Sequence, residues 1–578
     1  MLHNLPFYLK RNKVGIFLEK RKKLLKKNKL HSQLAITLVI FFFLFQTVKY
    51  FNQSGFLVGD LGRELYSPLR ILQGQKVYKD FLWLYGPFSL WLNALVYKFL
   101  GISISSLYYL SLVLSFLIGV ITFKIAQKLT GTLLATLITI LFIKISMFGF
   151  TWQSLILPGK FSLLWALLFS LLIISNLINP KKENLNFWLI GVLLGLTTIT
   201  KIDYAFATLV LVSIYFIVNI NLIKIKNISK ILAGSGMIIG SSIFYLTFSQ
   251  KIPPSTILEN ILPAYASSFW FYNRPFYDSG VFFSSLLITL ISIFIIYLLL
   301  TKRLFGKIIN PFLKITILSI LIYLSAKLDH RLFTYSFFNS YFVLLLLITA
   351  VYYLKTKSQN HIKLPMLYLL LFLASLNIRS KFAVSSFDVG LLLTGVVSGV
   401  LLIIGPKSKT LISLALIYLL FIQSNYLHNI QYADKTIVFE NNRGKVKVEP
   451  SPGGILIDTI NYLNRSDSKT IAAFPMESSI SFFTGKTNSL SSDQYPNGII
   501  PPNKQYLVVE ELEKNLPDYI TISNYEFLGY FGKDYNQTIY SWILENYKVE
   551  KVFGCDRPYN SRAVCSGYGI LLYSRKNL

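Results

Sequence analysis

The chain has 578 residues, 53% of them hydrophobic and only 14% charged, and its mean hydropathy is +0.53. This composition excludes an ordinary soluble enzyme and predicts an α-helical protein that crosses a membrane many times. The formal net charge of +31 arises entirely in residues 1–429, because residues 430–578 hold 16 basic and 16 acidic residues. Basic residues near the ends of hydrophobic runs follow the positive-inside rule, so no nucleic acid partner is predicted.

Basic residues dominate the first part of the chain, where residues 10–29 include ten Lys or Arg and one Glu. The apolar run 34–51 that follows is longer than the hydrophobic region of a typical signal peptide, and no small-residue cleavage site comes after it. We therefore predict a cytoplasmic segment at 1–33 that contacts anionic membrane lipid, followed by an uncleaved first spanning helix.

The external loop 52–86 comes next. Its acidic residues and arginines are Asp60, Arg63, Glu64, Arg70 and Asp80. Spanning helices avoid such groups, because an unpaired charge at the bilayer centre costs at least ~2.5–3.5 kcal/mol. Four leucines recur at helical spacing: Leu61, Leu65, Leu69 and Leu72. The loop is therefore predicted to lie on the membrane surface as an amphipathic helix, which Asp60 opens and Gly74 closes.

The same loop carries a longer ordered pattern. It runs Gly59-Asp60, Gly62-Arg63, Tyr66, Leu72-Gln73-Gly74, Tyr78-Lys79-Asp80-Phe81, Gly86-Pro87 and Gly101. This pattern resembles the first external loop of GT-C glycosyltransferases, in particular the protein O-mannosyltransferase and lipid A aminoarabinose transferase branches. The resemblance implies that Asp60 is the catalytic base and that Arg63 faces the phosphate of a lipid carrier.

One position departs from that family pattern. The aminoarabinose branch has an acid and a lysine just before the Gly-Pro pair, where this chain has Leu84 and Tyr85. The resemblance therefore supplies no acidic metal ligand at that place, and no Cys/His cluster in the sequence has zinc spacing. We predict neither a cofactor nor a metal site, although the sequence leaves a divalent metal open.

Residues 34–429 are predicted to form a GT-C-like transmembrane domain with about thirteen helices. After the first run, apolar runs lie near 86–101, 105–126, 132–150, 160–178, 187–200, 204–222, 229–250, 280–301, 311–327, 333–354, 364–377, 383–404 and 408–427. Alternating basic connectors place every second connector in the cytoplasm. This alternation requires an even number of crossings among the three runs between 86 and 150, so one of them is not a complete span.

Acidic residues of the transmembrane domain gather at the predicted external face. They are Asp60, Glu64, Asp80, Asp203, Glu259, Asp278, Asp329 and Asp388. Acids are better tolerated outside than inside, which explains part of this bias. It does not explain the basic residues beside them, which are Arg63, Arg70, Lys160, Lys201, Arg274, Arg331, Arg379 and Lys381. Mixed charges at one membrane face suit an anionic lipid headgroup beside a polar reaction centre.

Further site candidates lie outside the opening helix. Thr200-Lys201 resembles a Thr-Lys pair common in the superfamily, which makes Lys201 a second phosphate-binding candidate, although a lysine at a helix end often only snorkels. The loop 251–279 is rich in proline and aromatic residues and is either a sugar-stacking surface or an interfacial anchor. Weaker candidates for sugar or acceptor contacts are Glu64, Tyr66, Asp80, Tyr85, Arg274, Tyr277 and Arg331.

Composition changes near residue 430, where Gly, Pro and polar residues become frequent. Helices are predicted at 454–464, 506–515 and 538–547, and strands at 470–474, 518–523, 548–553 and 569–574. Their alternation predicts that residues 430–578 form an extracytoplasmic α/β domain. The chain's two cysteines, Cys555 and Cys565, both fall in this domain and are predicted to form a disulfide, the alternative being two unrelated thiols.

The resemblance implies an inverting GT-C-type transferase of the plasma membrane. It would move a hexosyl or pentosyl group from a polyprenyl-phosphate carrier to a hydroxyl of a glycan, lipid or protein acceptor. The residues alone support only an external membrane site with a carboxylate and cations. A polytopic transporter or lipid flippase is the alternative, and substrate uptake into proteoliposomes would separate the two.

The topology can be tested directly. A single cysteine introduced near residue 500 of a variant without native cysteines is expected to react with a membrane-impermeant reagent in intact cells, because the positive-inside rule places residues 430–578 outside. Protection of that cysteine until the cells are lysed would contradict an external site.

Overall fold

The computed structural model describes residues 30–48, 51–52, 59–144, 157–178, 187–218, 225–261, 437–525, 529–555 and 567–576, with isolated helical positions between 393 and 420. The predicted runs between 280 and 377 lie outside these residues, as do Arg274, Tyr277 and Arg331. The described part of the chain is mainly helical up to residue 261 and contains a β-sheet after residue 437.

The helices of the first part are α1 (Leu30–Val48), α2 (Asp60–Leu72), α3 (Phe88–Leu100), α4 (Ile104–Thr130), α5 (Thr132–Phe142), α6 (Leu157–Ile178), α7 (Phe187–Thr198), α8 (Ile202–Val218), α9 (Ile225–Phe244) and α10 (Pro254–Ile261). Four of the described helices are long and apolar enough to cross a membrane: α1, α4, most of α6, and α9 with its continuation to Ser249. This confirms a helical framework suited to a membrane, while the predicted total of about thirteen spans extends beyond the described residues.

Helix α3 is too short to be a complete span. It has 13 residues between Pro87 and Gly101, which at ~1.5 Å per residue gives about 20 Å. A bilayer core is about 30 Å thick, so α3 does not cross it unaided. Helix α4, with 27 residues, is long enough to cross, whereas the described part of α5 has only 11 residues.

Helix α2 has the predicted boundaries but not the predicted environment. It begins at Asp60 and ends at Leu72, and Gly74 follows it with a φ of +84°. The leucine face is buried up to Leu69, whereas Leu72 at the helix end is 37% exposed. The polar face is buried as well, because every residue from 61 to 70 is buried. The helix therefore does not lie on an open membrane surface, since the C-terminal part of the chain covers it.

The C-terminal part contains the hairpin β1 (Ile437–Asn441) and β2 (Gly444–Val448), followed by a five-stranded sheet. Its strands are β3 (Thr470–Phe474), β4 (Thr487–Asn488), β5 (Tyr519–Ser523), β6 (Tyr547–Gly554) and β7 (Gly569–Arg575), in the order β4-β3-β5-β7-β6. Strand β3 is parallel to β4 and β5, and β7 is antiparallel to β5 and β6. The helices here are α11 (Ile455–Asn464), α12 (Ser479–Thr484), α13 (Gln505–Asn515) and α14 (Gln537–Asn546).

The predicted α/β character of this part is confirmed, and its predicted helices and strands agree with the observed ones to within one residue at each end. The short helix α12 and the hairpin were not predicted. Cys555 is disulfide-bonded, as expected, and Cys565 lies outside the described residues.

Two groups of contacts fasten the C-terminal part to the helical part. The hairpin binds by backbone hydrogen bonds, from Ile104 N to Arg443 O at 2.9 Å and from Lys447 N to Asn52 O at 2.8 Å. The start of α4 and the segment just after α1 therefore lie at the same end of the helical part as the sheet.

The second group is a buried ion pair on α2. The guanidinium of Arg70 lies 2.7 Å from the Asp493 carboxylate and also donates to Leu490 O at 3.0 Å. Ser67 and Asn488 donate to the two oxygens of Asp493 at 2.6 and 3.1 Å. Arg70 and Asp493 are each 2% exposed, so burial of the pair is compensated by a satisfied hydrogen-bond network that fixes the segment 488–494 on α2.

Breaking this ion pair should lower the stability of the whole protein. Arg70→Ala would leave the Asp493 charge buried without its partner, which typically costs ~3–5 kcal/mol, so a lower melting temperature in detergent is expected. The control is Lys445→Ala, which breaks the 2.8 Å pair with Glu440. That pair is half exposed and should contribute only ~0–1 kcal/mol. Equal melting temperatures for the two variants would contradict a docking role for Arg70.

Candidate active site

The site begins where the C-terminal part touches the first turn of α2. Gly59 has a φ of +77°, which disfavours any other residue, and its amide donates to Met476 O at 2.9 Å. A Cβ on Gly62 would lie 2.7 Å from Ser479 N, so only glycine admits this approach. The two glycines of the Gly-Asp and Gly-Arg pairs thus allow the segment 476–479 to pack directly against the turn that carries Asp60.

Asp60 is on that first turn but does not cap the helix. Gly59 is the N-cap residue, and no side chain makes a cap hydrogen bond there. Instead, the Asp60 carboxylate lies 3.2 Å from the Arg63 guanidinium, and its side chain is 38% exposed. Asp60 is thus ion-paired and open to solvent on one side, which leaves its carboxylate accessible to a substrate.

Arg63 is enclosed, with its side chain only 6% exposed. Its Nη1 donates to Gln494 Oε1 at 3.0 Å, while its Nη2 is shared between Asp60 at 3.2 Å and Glu64 at 3.5 Å. Burial alone would lower the pKa of Arg63, but the charge of Asp60, followed by Tyr85 and Glu64, raises it above its ordinary value. Arg63 is therefore a permanent positive charge placed between two carboxyl groups.

Glu64 is the second of these carboxyl groups and is fully buried. Burial raises the pKa of Glu64 to about 8, although the neighbouring Arg63 charge opposes the shift. Near neutral pH this carboxyl is therefore mostly protonated and can donate a hydrogen bond. The two acids beside Arg63 thus differ in kind, since one is accessible and the other is buried.

Tyr85 joins the α2 group to Lys201. Gly86 N donates to Thr200 O at 3.1 Å, which holds the end of the loop against the turn before α8. The Tyr85 ring centroid then lies 5.1 Å from the Arg63 guanidinium and 5.6 Å from Lys201 Nζ, close enough for cation–π attraction. The structure thus places a tyrosine ring within reach of two cations, at one of the two positions that depart from the family pattern.

The other predicted residues are placed elsewhere or are not described. Tyr66 accepts a hydrogen bond from Asn488 N at 2.7 Å, and its ring lies 5.9 Å from Arg70, so it belongs to the docking contacts. The Asp80 carboxylate accepts from Lys76 N at 2.7 Å within its own loop. The structure therefore brings together Asp60, Arg63, Glu64, Tyr85 and Lys201, and it does not join Tyr66 or Asp80 to them.

Sequence reasoning missed the contribution of the C-terminal part. Gln494 binds Arg63 directly, and Glu477 is fully buried beside the segment that touches Gly59. Burial, followed by the charges of Glu477 and Asp60, raises the pKa of Tyr525 to about 12. The parallel pairing of β3 and β5 was the signal that could have pointed to these residues. Ligands and polar groups collect at the carboxyl ends of parallel strands.

Three buried polar atoms around Arg63 have no hydrogen-bond partner among the described residues: Arg63 Nε, Glu64 Oε2 and Gln494 Nε2. Buried polar groups normally have partners, so orphaned ones call for an explanation. Arg63 Nε and Gln494 Nε2 are donors, and Glu64 Oε2 is a donor when its carboxyl is protonated, so a ligand bearing phosphate oxygens would match them. No group of three or more His, Cys, Asp or Glu that could hold a metal occurs in the described segments.

The acid Glu477 gives a prediction about pH. Burial raises its pKa from 4.5 to about 7, so the folded protein retains a proton that the unfolded chain releases. The stability gained in this way is fully present below pH ~4.5 and is lost as the pH rises through about 7. Between pH 5 and 8, the free energy of unfolding of the wild type should fall by about 3 kcal/mol more than that of Glu477→Gln. Melting curves of the two proteins across this range measure the difference, and parallel pH profiles would contradict it.

No protein-family model matches the chain, and no curated protein sequence matches it. Several solved structures are similar to the chain. The oligosaccharyltransferase of Archaeoglobus fulgidus, in complex with zinc and sulfate, aligns at 13% identity with a TM-score of 0.47, over 84% of this chain and 68% of that protein. The same protein tethered to an acceptor peptide with the NVT sequon aligns at 12% identity and a TM-score of 0.46, over 85% and 69%.

A further similar structure is ArnT from Cupriavidus metallidurans bound to undecaprenyl phosphate. It aligns at 12% identity with a TM-score of 0.44, over 94% of this chain and 98% of ArnT. Similarity at this level leaves the reaction to be inferred from the residues of the site itself.

Proposed function

We propose that the chain is a membrane glycosyltransferase that moves a sugar from a polyprenyl-phosphate carrier to an acceptor hydroxyl, with Asp60 as the general base. The observation that carries the proposal is the half-exposed Asp60 carboxylate, ion-paired to the buried Arg63 at 3.2 Å and placed near Lys201 among long apolar helices. A base, fixed cations and room for a lipid tail are the groups this reaction requires.

The proposed step is a single displacement with inversion. The acceptor oxygen attacks the anomeric carbon and gives its proton to Asp60, while the bond from that carbon to the phosphate oxygen breaks. The lipid phosphate leaves with the bonding electron pair. A positioned base typically contributes ~10²–10⁴-fold to such a reaction.

Charge that develops on the leaving phosphate would be stabilised by Lys201 and Arg63. Lys201 is only partly buried and lies across Tyr85 from Arg63, so it is the better placed of the two for direct contact. Arg63 is held by Asp60, Glu64 and Gln494, but its Nε has no partner among the described residues. We propose that Lys201 binds the phosphate, while Arg63 orients Asp60 and adds long-range charge.

The lipid tail would lie along the apolar helices. Helix α3 follows the loop directly, and Tyr97 on it donates to the Leu65 carbonyl of α2 at 3.0 Å. On its outer side it exposes Leu95, Phe99 and Leu100. A helix that does not span the bilayer but presents an apolar strip beside the site suits a polyprenyl chain that enters from the membrane.

The proposed membrane orientation rests on the ends of the helices. The segment after α1 and the start of α4 both bind the C-terminal hairpin, so the sheet and α2 lie on the side that α1 reaches. With the basic segment 1–33 in the cytoplasm, that side is external. The proposal is therefore an integral plasma-membrane protein with its site and its C-terminal domain outside the cell.

The test is Asp60→Asn in purified protein supplied with a polyprenyl-phosphate sugar. Asn is nearly isosteric with Asp but cannot take up the proton, so turnover should fall by ~10²-fold or more while donor binding stays close to that of the wild type. The substitution also removes the charge paired with the buried Arg63, so the melting temperature should fall and turnover is compared at a temperature where both proteins are folded. Product formation and donor binding are measured on the same preparation.

The matched control is Asp458→Asn, which neutralises an exposed carboxylate on α11 and should leave turnover unchanged. In the same assay, Lys201→Ala is expected to weaken donor binding. Transfer by Asp60→Asn at the wild-type rate would contradict the assignment of the base.

A further inference from the structure

A single buried carboxyl group joins three strands of the C-terminal sheet. Glu477 follows β3, Ser523 ends β5, and Tyr568 directly precedes β7. Ser523 Oγ and Tyr568 OH both donate to Glu477 Oε1, the latter at 3.1 Å, and Met476 N donates to its Oε2 at 2.9 Å. Glu477 has no exposed surface, so its carboxyl fixes the loop after β3 relative to the two other strands.

That loop is the part of the C-terminal domain that touches the turn with Asp60. The carbonyl of Met476, adjacent to Glu477, accepts the Gly59 amide at 2.9 Å. Immediately after it, Ser479 N lies 2.7 Å from where a Cβ on Gly62 would be. Gly59 and Gly62 stand on either side of Asp60 in the helix, so any shift of the loop would be transmitted to the Asp60 carboxylate.

We propose that Glu477 is a positioning residue for the transfer reaction, holding the segment 476–479 in place so that Asp60 keeps its geometry. The inference rests on the proposed role of Asp60 as base. It has a physical rationale, because a displacement of ~1 Å at a reacting group can cost ~10²-fold in rate. Glu477 has no direct part in the chemistry.

The alternative is that Glu477 only stabilises the sheet, and the chain contains a matched control for that role. Asp518 precedes β5 and accepts hydrogen bonds from Lys469 N at 2.8 Å and from Thr470 N and Oγ1 at 3.0 Å. It joins the same two strands, β3 and β5, at their opposite ends. Loss of Asp518 should therefore weaken the sheet without moving the segment that contacts α2.

The experiment compares Glu477→Ala, Glu477→Gln and Asp518→Ala in the full-length protein. Melting temperature, kcat, donor KM and hydrogen exchange at the Gly59 amide are measured. For Glu477→Ala, kcat should fall about 10-fold or more at an unchanged donor KM, and Gly59 should exchange faster. Glu477→Gln should recover part of both, because its side-chain oxygen still accepts from Ser523 and Tyr568, whereas its amide nitrogen cannot accept from Met476 N.

Asp518→Ala should lower the melting temperature while leaving kcat and Gly59 exchange as in the wild type. If Glu477→Ala does not fold, Tyr568→Phe removes one hydrogen bond from Glu477 and should shift exchange and kcat in the same direction by a smaller factor. Unchanged Gly59 exchange and kcat in the folded variant would overturn the inference. This outcome is distinct from normal transfer by Asp60→Asn, which would overturn the proposed base instead.

Discussion

Burial of helix α2 on both of its faces is the constraint on which the rest of the structure depends. The helix takes two positively charged groups into the interior, Arg63 and Arg70. A buried charge without a partner costs several kcal/mol, so each must be compensated. Asp60 and Gln494 compensate Arg63, and Asp493 compensates Arg70. Because two of these partners lie in the C-terminal part, the helix and that domain form one functional unit.

The two arginines of α2 show how one helix serves two purposes. Arg70 is fully engaged by Asp493, Gln75 and two backbone carbonyls, so it fixes the docked domain. Arg63, about two turns earlier, shares one nitrogen between two acids and leaves its Nε without a partner among the described residues. An arginine whose hydrogen-bond donors are all engaged is suited to a structural role. An arginine with an unengaged donor beside an exposed carboxylate is suited to binding and catalysis.

The C-terminal sheet contributes to the site through its carboxyl edge. Parallel strands β3 and β5 end at the same side of the sheet, and their following loops carry Glu477 and Tyr525 toward the turn with Asp60. This domain therefore shapes the candidate site rather than only covering it. The close packing at Gly59 and Gly62 transmits its position to α2, which makes the rigidity of the sheet relevant to the geometry of that site.

Local patterns in the sequence determined the boundaries of α2 and the helices and strands after residue 454. Such features depend on periodicity, glycine placement and charge, which act between near neighbours. Asp60, Arg63 and Lys201 became candidates through the family resemblance. Only the tertiary structure decided that α2 is buried and that the Tyr85 ring lies within reach of two cations. It also showed that the glycines beside Asp60 allow the backbone of segment 476–479 to pack against α2. These features depend on contacts such as Arg70–Asp493, between residues 423 positions apart, and no local pattern records which distant segment will supply the partner of a buried charge.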